Sequence, residues 1–218
     1  MIKIQSISKS SSHHLVYSEF HPLQRFGYAC LTYYPAECEK IAKINSEILD
    51  LILKFKLENF PKEDLEPALI EYFVQMNWRL YSIFREVECQ EIGISVVLVI
   101  NNDTELTVIP FGRFICGIWD EKGLHEIGLP WENFRVKSMQ ELKLLGNLAE
   151  DIKPNIIHHK LENRTGISII PPHKNILSKC NSWNELIGEL ESDEEEYPHL
   201  ILSNGIIPAK TKKRLWKK

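Results

Sequence analysis

Ile94-Ser95-Val96-Val97-Leu98-Val99-Ile100 is β-branched and almost continuously apolar. A strand with one wet face alternates polar and apolar residues, so a run without alternation predicts a strand covered on both faces. On the downstream side Asn101-Asn102-Asp103-Thr104 reads as a turn. Leu106 and Val108, then Phe114, Ile115, Ile118 and Trp119, predict further strands of a meander, and Asp120-Glu121-Lys122-Gly123 reads as the next hairpin turn.

Upstream the apolar period changes from that of a strand to that of a helix. Leu65, Leu69, Phe73, Met76, Leu80, Ile83 and Val87 step by threes and fours. They predict a helix over 64–88, with Asp64 as N-cap and Pro67 in the first turn. Ala68, Ile70, Tyr72 and Trp78 widen the stripe toward a second neighbour. Ile41, Ile44, Ile48, Ile52 and Phe55 predict another helix over 35–56. The short connector Leu57–Glu63 makes the two an antiparallel hairpin. Before them Phe26–Leu31 reads as one early strand.

The last third predicts a helix over Ser138–Leu148 and strands at Ile156–Leu161, Gly166–Ile170 and Leu200–Leu202. Between the last two lies a short helix over Ser182–Leu190, where Ser182 and Glu185 form a capping box. Both chain ends read as polar and loose. A meander with helices over one face is α+β, and burial of its central strand on both faces requires a second sheet behind it. The expected fold is a four-layer αββα sandwich, with two long antiparallel helices before the strand meander. It forms one domain over 1–209, followed by a basic tail at 210–218.

Composition narrows the class. The chain has 218 residues, 44% hydrophobic and 26% charged, which is a globular mixture able to bury a core without staples. A net charge of −4 gives no global bias toward nucleic acid or anionic membrane. No apolar run approaches the roughly 20 residues of a membrane span, and Met1–Ser12 lacks the apolar core of a secretory signal. Cys30, Cys38, Cys89, Cys116 and Cys180 are odd in number and form no C-x-x-C pair. They read as reduced thiols of a cytoplasmic protein, small core residues rather than a framework.

No constellation spells out a catalytic, metal or cofactor site. His158-His159 resembles a ligand pair, but neighbours on a strand point to opposite faces and cannot grip one ion. His13-His14 meets the same objection. Cys30 or Cys38 with a distant His lacks any local nucleophile signature and reads as a core thiol. Gly112, Gly117, Gly123 and Gly128 precede no helix N-terminus and so cradle no phosphate. The run Glu189–Glu196 holds six carboxylates, and it reads as a solvated loop without fixed ligand geometry. In the tail, Lys210, Lys212, Lys213, Arg214, Lys217 and Lys218 gather six cations around Trp216. They are the candidate partner contact. As a solvated end the tail needs no partner; as a contact it is electrostatic, toward another protein before a nucleic acid.

The order of elements resembles the metal-dependent serine/threonine phosphatases of type 2C. Arg25–Leu31 looks like the strand that ends in that family's Asp-Gly metal loop, and both long helices follow it. Gly93–Ile100 looks like the next strand, and Phe111-Gly112-Arg113 sits where the Gly-Asp-Ser-Arg hairpin would be. Gly166–Ile170 followed by Pro171-Pro172-His173 resembles the strand ending in Ser-Asp-Gly. The resemblance implies the αββα sandwich. The motifs themselves are replaced: Thr32-Tyr33-Tyr34 stands for Asp-Gly, Pro171-Pro172-His173 for Ser-Asp-Gly, and Tyr197-Pro198-His199 for the final Asp-Asn. Hard metal ions need carboxylates at those places.

The expectation is therefore a catalytically inactive phosphatase-like protein that takes no cofactor and acts by binding another protein. The alternative is a divergent hydrolase with an unrecognised active site. It would be either a metal-dependent phosphatase or a relative of the proteasome-like N-terminal-nucleophile hydrolases. The latter share the four layers, but Met1-Ile2-Lys3-Ile4 offers no such nucleophile.

Overall fold

The computed structural model describes residues 3–7, 14–20, 26–33, 65–86, 93–102, 104–112, 114–120, 123–127, 144–147, 149–160, 165–170, 180, 182–192 and 199–204. Its elements are β1 (Lys3–Ile7), β2 (His14–Phe20), β3 (Phe26–Tyr33), α1 (Leu65–Glu86), β4 (Ser95–Asn102), β5 (Glu105–Phe111), β6 (Ile115–Asp120), β7 (Gly123–Ile127), β8 (Ile157–Lys160), β9 (Thr165–Ile170), α2 (Trp183–Ser192) and β10 (Leu200–Asn204). The expected first helix over 35–56, its connector and the basic tail fall outside the described residues.

The apolar run at Ile94–Ile100 forms β4, and both its faces are covered. Val97 and Val99 enter a cluster with Cys116, Ile167, Ile169, Leu200 and Leu202, between two sheets. Val96, Leu98 and Ile100 face the other way, against Leu69, Phe73, Met76, Leu80, Ile83 and Phe84 of α1. Each sheet has five antiparallel strands, in the orders β2-β3-β4-β5-β8 and β1-β10-β9-β6-β7. The outer face of the second sheet packs Ile115, Trp119, Ile170 and Ile201 on Trp183, Leu186 and Leu190 of α2. The layers are thus α1, sheet, sheet, α2, the α+β sandwich expected from the burial of β4. Ser182 caps α2 as read, its Oγ accepting from the Glu185 amide at 3.3 Å.

Four expectations are corrected. Residues 3–7 and 14–20 are strands rather than a loose polar end. β1 pairs with β10 across the whole chain, with a bulge between Ile4 and Ser6, and β2 pairs with β3. Asn101 and Asn102 belong to β4, so the turn shrinks to the two residues between Asn102 and its partner Glu105. The described part of Ser138–Leu148 is not helical: Leu145 makes a β-bridge to Ile94, and Gly146 turns the chain with φ +77°. Finally, Glu189–Ser192 is the last turn of α2 rather than loop.

Candidate functional site

Strand register brings distant segments to one end of the sandwich. β3 ends there, with Tyr33 opposite Ser95, the first residue of β4. β5 returns to the same end, and only Gly112–Phe114 separates it from β6, so the two sheets meet. β9 finishes opposite the start of β6, with Ile170 facing Ile115, and β10 starts beside it, with Leu200 facing Ile169. Thr32-Tyr33, Gly112, Ile170 and His199 therefore converge, although they lie far apart in sequence. The type 2C resemblance puts its motifs at or directly beside these four places. Tyr34, Arg113, Pro171–His173 and Tyr197-Pro198 fall outside the described residues.

The described side chains at this end include Ser95, Phe111, Phe114, Ile115, Leu144, Ile170 and His199, all buried and none a carboxylate. Among the described residues no three His, Cys, Asp or Glu side chains gather as a metal-binding group. Gly112 is held at φ +77°, where a Cβ would meet Ser95 Oγ and come within 2.7 Å of Leu144 Cδ2, so the turn requires glycine on both counts. The Ser, Phe, Ile, Leu and His side chains described at this rim include none of the carboxylate oxygens that hard divalent cations take.

A second feature braces this end and escaped the sequence reading. Asn77 is fully buried in α1. Its Oδ1 accepts from the Gly146 amide at 2.7 Å, and its Nδ2 donates to the Glu150 carbonyl at 2.8 Å. Beside it, Trp78 Nε1 donates to Asp151 Oδ1 at 2.9 Å. The strap 144–151 is thereby tied to α1, and the reciprocal Ile94–Leu145 hydrogen bonds at 2.9 and 3.0 Å tie it to the start of β4. The available signal was an amide directly beside Met76, on the flank of an apolar helical stripe.

The other candidates separate. His158 and His159 sit on β8 opposite Thr107 and Leu106, on opposite faces. The Nδ1 of His158 lies 2.5 Å from Glu105 Oε1 and 3.2 Å from Thr107 Oγ1. Cys116 and Cys180 are buried, as read for core thiols, and burial pushes the Cys116 thiol up to about 12. The cations Lys210, Lys212, Lys213, Arg214, Lys217 and Lys218 fall outside the described residues. Among the described residues no helix is long and apolar enough to cross a membrane.

No protein-family model and no curated protein matches this sequence. Solved structures do match. A serine/threonine phosphatase from S. agalactiae superposes with a TM-score of 0.67 at 11% identity, over 94% of this chain and 99% of that one. A serine/threonine phosphatase from Staphylococcus aureus gives 0.66 at 11% identity, over 94% of each chain. RsbX, in complex with magnesium, gives 0.56 at 12% identity, over 93% of this chain and 99% of that one. The chain is similar to type 2C phosphatases almost end to end, and at this identity the likeness is one of fold.

Proposed function

We propose that this chain uses a phosphatase fold without phosphatase chemistry, and acts by binding another protein in the cytoplasm. One observation carries the reading. The strand ends converge where the type 2C resemblance places its metal loops, and there the sequence reads Thr32-Tyr33-Tyr34, Pro171-Pro172-His173 and Tyr197-Pro198-His199 instead of acids. Neutral donors of this kind neither offset the charge of two divalent ions nor lower the pKa of a bridging water. The chain's own groups at this end are fit to pack and to hydrogen-bond.

The test is thermal melting of the full chain with manganese and with magnesium, alongside hydrolysis of an aryl phosphate. A specific ion at about 100 times its dissociation constant would add roughly 2.7 kcal/mol of stability. The expected result is no metal-dependent rise in Tm and no turnover above buffer. Manganese-dependent turnover lost on mutating one acid would instead establish the divergent-hydrolase reading.

The basic tail is the proposed electrostatic arm of this binding role. Lys210, Lys212, Lys213, Arg214, Lys217 and Lys218 concentrate positive charge on a chain that is acidic elsewhere. Deleting 210–218 should leave Tm unchanged and weaken partner capture at low salt more than at high salt. A truncation that melts several degrees lower would show that Leu215 and Trp216 dock in the core, and would end this part of the proposal.

A further inference from the structure

Glu71, Trp78 and Arg85 are spaced by seven residues along α1. Seven residues fall about 20° short of two full turns, so the three side chains stand nearly in one row. All three are exposed, and Trp78, at 43%, is the one exposed large hydrophobic residue among the described residues. An indole on a wet helix face is usually free to change rotamer, but this one is fixed by its 2.9 Å bond to Asp151, on a strap that Asn77 secures. Tyr81 meets it edge-on at 6.2 Å, and the Arg85 guanidinium lies 5.0 Å above the Tyr81 ring. Gln75 Nε2 donates to Glu71 Oε1 at 3.0 Å, orienting that carboxylate. The row is ordered in advance, so docking on it sacrifices little side-chain freedom.

We propose that this face docks a second copy of the chain, the two α1 helices crossing antiparallel about a two-fold axis at Trp78. The charge order selects that occupant. Along the helix the row reads acid, aromatic, base. A two-fold axis through the aromatic reverses it, setting Glu71 of each copy against Arg85 of the other and Trp78 against Trp78. An isologous contact must be complementary to itself, and this row is so in the antiparallel sense. A parallel crossing would set acid on acid and base on base. The row covers 14 helical steps, about 21 Å of helix, and offers much less than the roughly 800 Å² per partner of a standard interface. The dimer is accordingly weak, concentration-dependent and sensitive to salt.

Sedimentation velocity of the full chain, from micromolar to millimolar at low salt, tests this. The wild type should shift from monomer toward dimer with concentration, and Trp78→Ser should stay monomeric. Glu71→Arg and Arg85→Glu should each weaken association about tenfold, since each reversal creates two repulsive pairs. Mixing those two variants should restore a dimer that neither forms alone, because every cross-pair is then attractive. Superimposable melting curves and circular dichroism establish that the variants are folded. A chain that stays monomeric throughout, charge reversals that associate like the wild type, or a mixture that fails to associate would overturn the proposal. The face would then belong to a different protein.

Discussion

The amide of Gly146 donates a 2.7 Å hydrogen bond to the side-chain oxygen of Asn77, 69 positions earlier in the chain. The same side chain donates to the Glu150 carbonyl at 2.8 Å, so one residue of α1 meets both a donor and an acceptor of the strap. Asn77→Leu removes both and leaves an amide and a carbonyl unpaired. The expected loss is roughly 2–4 kcal/mol, read as a lower urea midpoint. Asn77→Asp keeps the acceptor for Gly146 but sets a carboxylate against the Glu150 carbonyl. It should lose most of that stability at neutral pH.

Met76 lies on the face of α1 that packs on β4, with 1% of its surface exposed. Met76→Asp would place an unpaired charge among Phe73, Leu80 and Leu98 at a cost of several kcal/mol, enough to unfold the domain. Circular dichroism checks this directly, and an unchanged melting curve would refute the packing of α1.

Gly112→Ala should lower stability by about 2 kcal/mol or more. Alanine resists a φ of +77°, and its methyl group would press on Ser95 and Leu144. Gly188→Ala is the control: it lies within α2 with nothing within 4 Å of an added Cβ, and it should be neutral or slightly stabilising.

Cys116 gives a pH signature. Burial raises its thiol from an ordinary 9.0 to about 12 in the folded chain. The folded state therefore holds this proton more tightly than the unfolded state. The resulting stability is complete below about pH 9 and is lost as pH climbs toward 12. Denaturation midpoints across that window should fall more steeply in the wild type than in Cys116→Ala. Equal slopes would place the thiol within reach of water.

The fold was legible where local pattern and tertiary environment agree. The step-three, step-four series from Leu65 to Ile83 is the face of α1 that touches β4, and the unbroken run in β4 reports its two covered faces. β1 was illegible because Lys3, Gln5 and Ser6 resemble a solvated end, and what makes them a strand is β10, about two hundred residues away. Leu144–Asn147 failed for a related reason: the segment has helix-forming neighbours, but Asn77 and Ile94 hold it as a bridge and turn. At the candidate site no single motif pointed to Thr32-Tyr33, Gly112 and His199. Only the order of elements did, because convergence is a property of register.

The pairing of β1 with β10 also fixes when this protein can finish folding. The sheet β2-β3-β4-β5-β8, with α1 upon it, is complete in sequence by Lys160. The other sheet keeps its first strand waiting beside an unfilled place until Leu200–Asn204 has been synthesised. On the ribosome the first sheet and its helix can collapse early, while β1 stays without its partner strand through most of translation. A chain stopped before residue 200 would leave β1 unpaired and β9 as a permanent open edge. Such a fragment would be a substrate for chaperones and a seed for strand-to-strand aggregation.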